Sequence, residues 1–491
     1  MPHSSRRAWA RLAWLHRWLG VLLCLSFMVW FSSGMVMLFV PFPSLPDTAR
    51  WSHSEPLALA QVRIAPALAL ALAHSRRDAG LRLLSVAGQP RYVIAQDAQL
   101  RSLDARTGAP LGLLSATQAH LVAARFGHAP VRRLTGPLET DQWIVHQRFD
   151  PWRPFYRVDM DDSQDTTLYI SARTGEVMQR TRAVERRWNW LGSIPHWVYF
   201  TVLRHDFGAW DRSVWWLGLT ALVGALTGTA LGLYRSWQYR HRNADGWSPY
   251  RGMLKWHHGL GLAGAVIVLA WIFSGWLSMD HGRLFSRGQP SAQALQRYAM
   301  TDLRTALTKV TPAMLHALDG SSEIDFQVVG GKAWASGYGG STATATLGIQ
   351  TDTGDARLLS SPERARAIHS AAQHAWSVAA TPRPRDDALY READAIATDA
   401  LRISLVAPQD AELYIDTHSG HPLLLLDASR QAYAWLYFAL HTTRVPGLVE
   451  YPRLRIALQL LLLTTGWCLS LTGTILAVKR LRATARRRRT R

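Results

Sequence analysis

Two histidines occupy equivalent positions near the starts of two apolar runs. The stretch LHRWLGVLLCLSFMVWFSSGM, which begins at Leu15, aligns without a gap with WHHGLGLAGAVIVLAWIFSGW, which begins at Trp256. The alignment places His16 on His257 and matches Leu, Gly, Trp and Ser residues further along both runs. Because an ionisable side chain is costly inside a membrane, a histidine repeated in such runs is a functional candidate.

A second pair of histidines repeats in the same way. At an offset of 245 residues His196 meets His441, and LTGTALGLYR (226–235) meets LTGTILAVKR (471–480). Both histidines lie in short segments rich in aromatic residues, ahead of an apolar run. The internal repeat therefore predicts two symmetric pairs of imidazoles, one near each face of a membrane.

Two facing neutral imidazoles suit one kind of chemistry, the axial ligation of a b-type haem iron. We therefore expect two haem b groups, one ligated by His16 and His257 and the other by His196 and His441. Zinc is a poorer fit, because no Cys, Asp or Glu stands at a matching spacing to complete a tetrahedral site. A histidine that only packs at a helix end is the competing interpretation of each residue taken alone.

Five further residues are expected around the first of these haems. Gly20 and Gly261 each follow a ligand by four residues, and they remove a side chain from the helix face that the macrocycle needs. Arg17, His258 and Lys255 are expected to meet the propionates at the cytoplasmic surface. His258 is also an alternative ligand to its neighbour, although the repeat disfavours it because it falls on Arg17.

Four apolar runs are long enough to cross a hydrocarbon core, which takes about 20 residues of helix. They cover roughly 12–40, 213–234, 256–279 and 455–478. Between these runs the basic residues alternate: the segments 1–40, 235–255 and 479–491 carry sixteen of the twenty net positive charges. By the positive-inside rule, both termini should be cytoplasmic and the two long polar segments should lie outside. Basic clusters at membrane boundaries argue against nucleic-acid binding.

The predicted fold class is an α-helical membrane protein, a bundle of four transmembrane helices from a tandem duplication with two α+β outer domains. The predicted segments are 1–40 (first membrane helix), 41–187 (first outer domain), 188–238 (interfacial histidine-bearing segment and second membrane helix), 239–255 (cytoplasmic loop), 256–280 (third membrane helix), 281–430 (second outer domain), 431–480 (interfacial histidine-bearing segment and fourth membrane helix) and 481–491 (basic cytoplasmic tail).

The outer segments carry repeated hairpin patterns. LYISARTGEV (168–177) aligns with LYIDTHSGHP (413–422), and LDARTGAPLG (103–112) is similar to IQTDTGDARL (349–358). Each pattern predicts a strand, a turn with Gly after Thr or Ser, and a second strand.

These motifs together resemble one known family. WLHRWLG, KWHHGLGL with FSGW, LHTTRVPG and the paired LTGT segments are similar to the PepSY-associated transmembrane family, and the hairpins are similar to PepSY domains. The resemblance covers nearly the whole chain. It implies PepSY-like periplasmic domains at 41–187 and 281–430. Members of the family include iron-regulated inner-membrane proteins of Gram-negative bacteria and ferric-siderophore reductases that carry two b haems.

The resemblance also implies a function. The chain would be a multi-pass protein of the bacterial inner (cytoplasmic) membrane, embedded in the lipid bilayer. It would act as a ferric reductase in iron acquisition, passing electrons to a ferric siderophore in the periplasm. Some relatives carry a flavin reductase domain after the last helix, where this sequence has a basic tail. The electron donor is therefore expected to be separate, a membrane quinol or a cytoplasmic reductase.

Two other classes of function stay open at this point. The chain is alternatively a haem-free regulatory or binding protein, whose PepSY-like domains restrain a periplasmic partner while the histidines only pack. It is less well suited to be a transporter, because no broken helix with paired Gly or Pro interruptions is predicted at the midplane.

Overall fold

The structure is a computed structural model that describes residues 3–241, 247–285, 288–340, 342–350, 352–381, 387–407 and 410–489. Parts of the predicted cytoplasmic loop (242–246), of the predicted second outer domain (286–287, 341, 351, 382–386 and 408–409) and of the predicted tail (490–491) lie outside the described residues. The α-helices are α1 (His3–Met37), α2 (Asp47–His53), α3 (Pro66–Leu72), α4 (Ala116–Gly127), α5 (Ala183–Asn189), α6 (Ser193–Trp197), α7 (Thr201–Arg204), α8 (Phe207–Arg240), α9 (Gly252–Ala263), α10 (Ala265–Leu277), α11 (Ala292–Ala299), α12 (Leu303–Ala306), α13 (Ser361–Ala375), α14 (Ala388–Ala393), α15 (Ala428–Tyr433), α16 (Leu440–Thr442) and α17 (Pro452–Arg489).

The strands form three antiparallel sheets in the described part of the chain. The strands are β1 (Gly80–Val86), β2 (Gln89–Gln96), β3 (Gln99–Asp104), β4 (Pro110–Leu111), β5 (Val131–Leu138), β6 (Phe155–Met160), β7 (Thr167–Ser171), β8 (Val177–Thr181), β9 (Glu323–Val329), β10 (Lys332–Gly339), β11 (Thr342–Ile349), β12 (Ala356–Leu358), β13 (Ser377–Val378), β14 (Leu401–Ala407), β15 (Ala411–Ile415) and β16 (Pro422–Leu426). Their orders are β12-β11-β10-β9-β1-β2-β3-β4, β5-β6-β7-β8 and β13-β14-β15-β16.

The predicted fold class is wrong. The residues that the structure describes form a mixed α/β protein, with 50% helix and 19% strand, rather than an α-helical protein built on four transmembrane helices. Among the described residues, three helices are long and apolar enough to cross a membrane: α1, α8 and α17. The third predicted membrane helix, 256–280, is instead the pair α9 and α10, which bends by 67° and counts as a span only if the two are taken together.

The bend has a cause in the sequence. The second copy of the repeat carries Gly259, Gly261 and Gly264 where the first copy carries Trp18, Gly20 and Leu23. Glycine is a poor helix former, by about 1 kcal/mol relative to alanine. Gly264 has φ −93° and ψ 0°, so the helix is interrupted there, whereas α1 continues through the matching position.

The long helices pack with their basic ends together. Trp9 near the start of α1 stacks on Tyr234 near the end of α8, with ring centres 3.7 Å apart. His257 on α9 contacts Thr472 towards the end of α17. In the first half, the start of α1 therefore lies beside the end of α8. In the second half, α9 lies beside the end of α17 in the same way. This arrangement gathers the basic segments of the sequence at one end of the helical part.

The two outer segments share one sheet and one core. β1 pairs with β9, and Leu83 lies opposite Ile324, its own counterpart at an offset of 241 residues. The largest hydrophobic cluster of the outer part accordingly contains residues from both halves, among them Leu83, Tyr92 and Phe326. The hairpins predicted at 103–112, 168–177, 349–358 and 413–422 are all formed.

A cluster of two buried carboxylates and two largely buried arginines lies where the halves join. Arg82 on β1 contacts Glu176 at 2.7 Å and Glu323 at 3.0 Å, and Arg50 contacts Glu323 at 2.5 Å. Burial alone would raise the pKa of Glu323, but the two guanidinium groups outweigh it and lower that pKa to about 2. The ionic contribution of Glu323 to stability is therefore present above its ordinary pKa of 4.5 and is lost as the pH falls towards 2.

We expect Glu323→Gln to lower the free energy of unfolding by about 3 kcal/mol, because it leaves the largely buried guanidinium groups of Arg50 and Arg82 with Glu176 as their remaining buried carboxylate, while Asp47 contacts Arg50 from the exposed side. Thermal unfolding of the full-length protein in detergent, followed by circular dichroism, measures the change. Asp97→Asn is the control, since it removes an exposed ion pair with Arg76, a kind of contact worth about 1 kcal/mol or less. Equal unfolding temperatures for the two variants would contradict the prediction.

Candidate functional site

The structure brings the four predicted histidines together as two pairs. His16 on α1 and His257 on α9 have ring centres 6.5 Å apart, and His196 on α6 and His441 on α16 have ring centres 6.1 Å apart. Two metal–nitrogen bonds of about 2 Å each, with about 1 Å more from each ligating nitrogen to its ring centre, span about 6 Å. Both separations therefore suit two imidazoles that share one metal ion.

The outer pair, His196 and His441, is held by the helices of the apolar runs. Nδ1 of His196 lies 3.0 Å from Ser33 Oγ and 3.2 Å from the carbonyl oxygen of Trp30. Nδ1 of His441 lies 3.1 Å from Ser274 Oγ and 3.3 Å from the carbonyl oxygen of Trp271. Each of these serines belongs to the same half of the chain as the histidine that it contacts.

The inner pair, His16 and His257, is held in the same way by threonines. Nδ1 of His16 lies 3.1 Å from the carbonyl oxygen of Gly224 and 3.4 Å from Thr227 Oγ1. Nδ1 of His257 lies 3.0 Å from Thr472 Oγ1. Every histidine of the two pairs thus has one hydroxyl partner at the same ring nitrogen.

The hydrogen bonds of the hydroxyl groups determine the tautomer of the histidines. Each of the four hydroxyls donates to the carbonyl oxygen three residues before it: Thr227 to Gly224, Thr472 to Leu469, Ser33 to Trp30 and Ser274 to Trp271. A hydroxyl has one proton to donate, so towards the histidine it accepts. Nδ1 therefore carries the proton, and Nε2 keeps its lone pair for a metal.

Burial keeps the outer imidazoles uncharged. Desolvation lowers the pKa of His196 to about 3, with a further contribution from the neighbouring His441, and desolvation lowers the pKa of His441 to about 4. A neutral imidazole is the form that binds a metal ion.

A glycine lies against each ring. A Cβ atom placed on Gly228 would lie 2.6 Å from Cε1 of His16, and one on Gly275 would lie 3.2 Å from Cε1 of His441. The matching distances are 3.6 Å from Gly34 to His196 and 3.5 Å from Gly473 to His257. Glycine at these positions lets each imidazole approach the backbone of the helix that orients it.

A cavity of about 630 Å³ adjoins the outer pair. Its wall includes both outer histidines, Gly34, Gly275 and many aromatic side chains. Cofactor pockets typically measure about 300–1,000 Å³. Among the described residues no group of three or more His, Cys, Asp and Glu side chains can hold a bare metal ion. Two imidazoles beside such a cavity fit haem b, whose macrocycle brings the remaining four ligands.

The other residues predicted for the inner site differ in what surrounds them. A Cβ atom on Gly20 would meet nothing within 4 Å, and one on Gly261 would meet only Leu469 at 3.7 Å, so open space does lie beside both. Arg17 is exposed, and Lys255 lies 5.2 Å from the centre of the Trp247 ring.

His258 is not directed towards the inner pair. Its Nδ1 lies 2.9 Å from Ser248 Oγ, and its Nε2 lies 3.1 Å from the carbonyl oxygen of Gly232. With both ring nitrogens engaged, His258 has no nitrogen left for a metal or a propionate. It instead packs the loop that precedes α9 against the end of α8.

The contacts of His257 yield a prediction. Thr472→Val keeps the shape of the side chain and removes the hydroxyl group that accepts from Nδ1 of His257. Loss of such a partner typically costs about 10–100-fold in metal affinity. We expect a loss of this size at the inner site when haem is titrated into haem-depleted protein. Thr474→Val is the control on the same helix, because that hydroxyl bonds the carbonyl oxygen of Ser470. An unchanged affinity in Thr472→Val would mean that the hydroxyl does not orient a ligand.

Compared with known proteins, the chain matches no family model and no curated protein.

Proposed function

We propose that the chain is a membrane-bound electron-transfer protein with two b-type haems, and that it reduces a ferric siderophore on the outer side of the bacterial inner membrane. The observation that carries this proposal is the recurrence of one unit four times. Each unit is a histidine with its Nδ1 held by a hydroxyl and its ring against a glycine, and the four units face each other as two pairs.

The residues of the chain have defined tasks in this proposal. Nε2 of His16 and His257 would hold one haem iron, and Nε2 of His196 and His441 the other. The hydroxyls of Ser33, Ser274, Thr227 and Thr472 fix the ring orientations and the tautomers. The haems, when bound, supply one-electron redox chemistry that side chains do not provide.

The direction of electron transfer follows from the charge distribution. The inner pair lies at the end of the helical part where the basic segments gather, which the positive-inside rule assigns to the cytoplasm. A quinol or a cytoplasmic reductase would deliver electrons at this end, and both termini would lie there. The outer pair lies at the end that carries the sheets, which would face the periplasm.

The substrate class rests on the resemblance to the PepSY-associated transmembrane family and on the chemistry of iron. Fe(II) has a lower charge and is softer than Fe(III), so a chelator with hard oxygen ligands holds it less tightly. Reduction of the ferric chelate at the outer face would therefore release its iron.

A haem count tests the proposal. The full-length protein, produced with ample haem supply and purified in detergent, is expected to show the oxidised and dithionite-reduced spectra of b-type haem, with two haems per chain. The reduced protein should be reoxidised by a ferric siderophore. Protein without haem bands would overturn the proposal and favour the haem-free alternative, in which the outer domains restrain a periplasmic partner.

A further inference from the structure

A buried arginine lines the outer cavity without a carboxylate beside it. Arg204 is 2% exposed, and its Nη2 donates to Gln147 Oε1 at 3.0 Å. Its guanidinium lies 5.1, 5.3 and 4.5 Å from the ring centres of Tyr199, Phe207 and Trp210. Within the described part of the chain, its Nε has no acceptor and no Asp or Glu forms an ion pair with it.

Among the described residues the cavity wall carries two more buried donors without a partner and one buried acceptor without a partner, Oε1 of Gln459. Nε of Arg455 and Nε1 of Trp276 are buried and have no acceptor among the described residues. Arg444 lines the cavity as well and is paired with Glu392 at 2.6 Å. None of the described residues of the wall is an Asp or a Glu. The described wall residues therefore hold three unpaired N–H donors against one unpaired acceptor, and Arg204 brings a charge that no carboxylate of the wall balances.

A buried charge without a counter-ion destabilises the folded protein, and a buried donor without an acceptor destabilises it further. Proteins retain such groups where a ligand completes them. Three donors and a guanidinium charge call for an acceptor that is itself negative, and a carboxylate meets both needs.

The donors also break the symmetry of the repeat. At the offset of 245 residues, Arg204 falls on Val449 and Arg455 falls on Trp210. A pair of identical histidine units needs no such difference between the halves. A bound group with its negative charge on one edge does need it.

We propose that Arg204, with Arg455 and Trp276, forms a carboxylate-binding site in the outer cavity, an inference that rests on the proposed function. The carboxylate has two possible sources: a propionate of the outer haem, or a carboxylate of the ferric chelate that is reduced there. The two sources share one recognition chemistry, and the experiment below separates them.

The first arm measures haem binding in a His16→Ala background, which leaves the outer pair as the haem site. Haem and its dimethyl ester, whose propionates are esterified, are titrated into haem-depleted full-length protein. If the carboxylate is a propionate, protein that retains Arg204 should bind haem at least about 30-fold more tightly than the dimethyl ester. Arg204→Gln should then bind the two compounds with equal affinity. Arg204→Lys, which keeps the charge, should show part of the preference for haem over the ester. Its result shows whether a loss in Arg204→Gln comes from the missing charge or from misfolding. Arg212→Gln, an exposed arginine on α8, is the control.

The second arm measures the substrate. If the carboxylate belongs to the chelate, all variants should bind haem alike. Arg204→Gln should then raise the half-saturating concentration of ferric citrate at least about tenfold in the reoxidation of reduced protein, as expected for loss of a charged hydrogen bond. A ferric hydroxamate without carboxylates should be unaffected.

The outcomes distinguish this inference from the proposed function. If Arg204→Gln behaves like Arg212→Gln in both arms, the carboxylate site is wrong, although the haem proposal stands. If the unsubstituted protein binds no haem, the proposed function fails, and calorimetric titration of haem-free protein with citrate then decides the inference. Citrate binding that is lost in Arg204→Gln would support the site, and binding independent of Arg204 or absent would overturn it.

Discussion

A His16→Ala variant is expected to bind one haem per chain instead of two, and His441→Ala is expected to lose the other one. Alanine would remove one of the two imidazoles that are proposed to hold the iron, and it would leave the other, His257 in the case of His16, without the partner whose ring centre lies 6.5 Å away. Because the hydroxyl and glycine contacts of the other pair involve different residues, that pair should keep its haem. Haem quantification and redox titration of each variant measure the loss.

Two exposed histidines on the outer side serve as controls for this prediction. Nδ1 of His205 bonds its own helix at the carbonyl oxygen of Thr201, and His281 pairs with Asp211. Alanine at either position should leave two haems. If His16→Ala and His441→Ala removed the same haem, as judged by the remaining midpoint potential, the pairing of ligands proposed here would be wrong.

The sequence predicts the pairing of the histidines because duplicated helices run in the same direction and hold matching residues at the same depth in the membrane. His16 and His257 share both a register and a helix start, so symmetry alone indicates that they face each other. The same argument fails for the fold class. It treats 256–280 as a copy of the first helix, yet this copy has Gly259 and Gly264 where the first has Trp18 and Leu23, and it bends by 67°.

The repeat also does not predict how the strands of the two outer segments pair with each other. Hairpins are local, and the turn residues predict them. The pairing of β1 with β9 joins strands that lie more than two hundred residues apart, and no local pattern marks which strand edges meet. The sequence therefore suggests two separate domains where the structure has one continuous sheet and a shared core.

The sequence contains one feature of the site whose role only the structure explains. Ser or Thr is followed by Gly at all four places that hold a histidine: Ser33 and Gly34, Thr227 and Gly228, Ser274 and Gly275, Thr472 and Gly473. The dipeptides appear in the repeat as matched FSSG, FSG and LTGT segments. Only the packing of the helices shows that the hydroxyl accepts from Nδ1 while the glycine makes room for the ring.

The closest of these ring contacts gives the second prediction of large effect. Gly228→Ala places a methyl group 2.6 Å from Cε1, 3.1 Å from Nδ1 and 3.4 Å from Nε2 of His16, so the ring has to move. The movement breaks the bond from Nδ1 to the carbonyl oxygen of Gly224 and turns Nε2 away from its partner. We expect the inner site to lose at least about 100-fold in haem affinity, the upper end for loss of a supporting contact, while the outer site is unchanged.

Gly224→Ala, one turn earlier on α8, is the matched control for Gly228→Ala. Its Cβ would lie 3.7 Å from Leu23 and 3.8 Å from Leu19, which is ordinary van der Waals contact. Both substitutions gain the same helix propensity, about 1 kcal/mol, so a difference between them comes from the contact with His16. Gly275→Ala at 3.2 Å and Gly473→Ala at 3.5 Å should have progressively smaller effects at their own sites. Equal haem affinity in all four variants would mean that the imidazoles are not held against these glycines, and the ligand geometry derived from them would have to be abandoned.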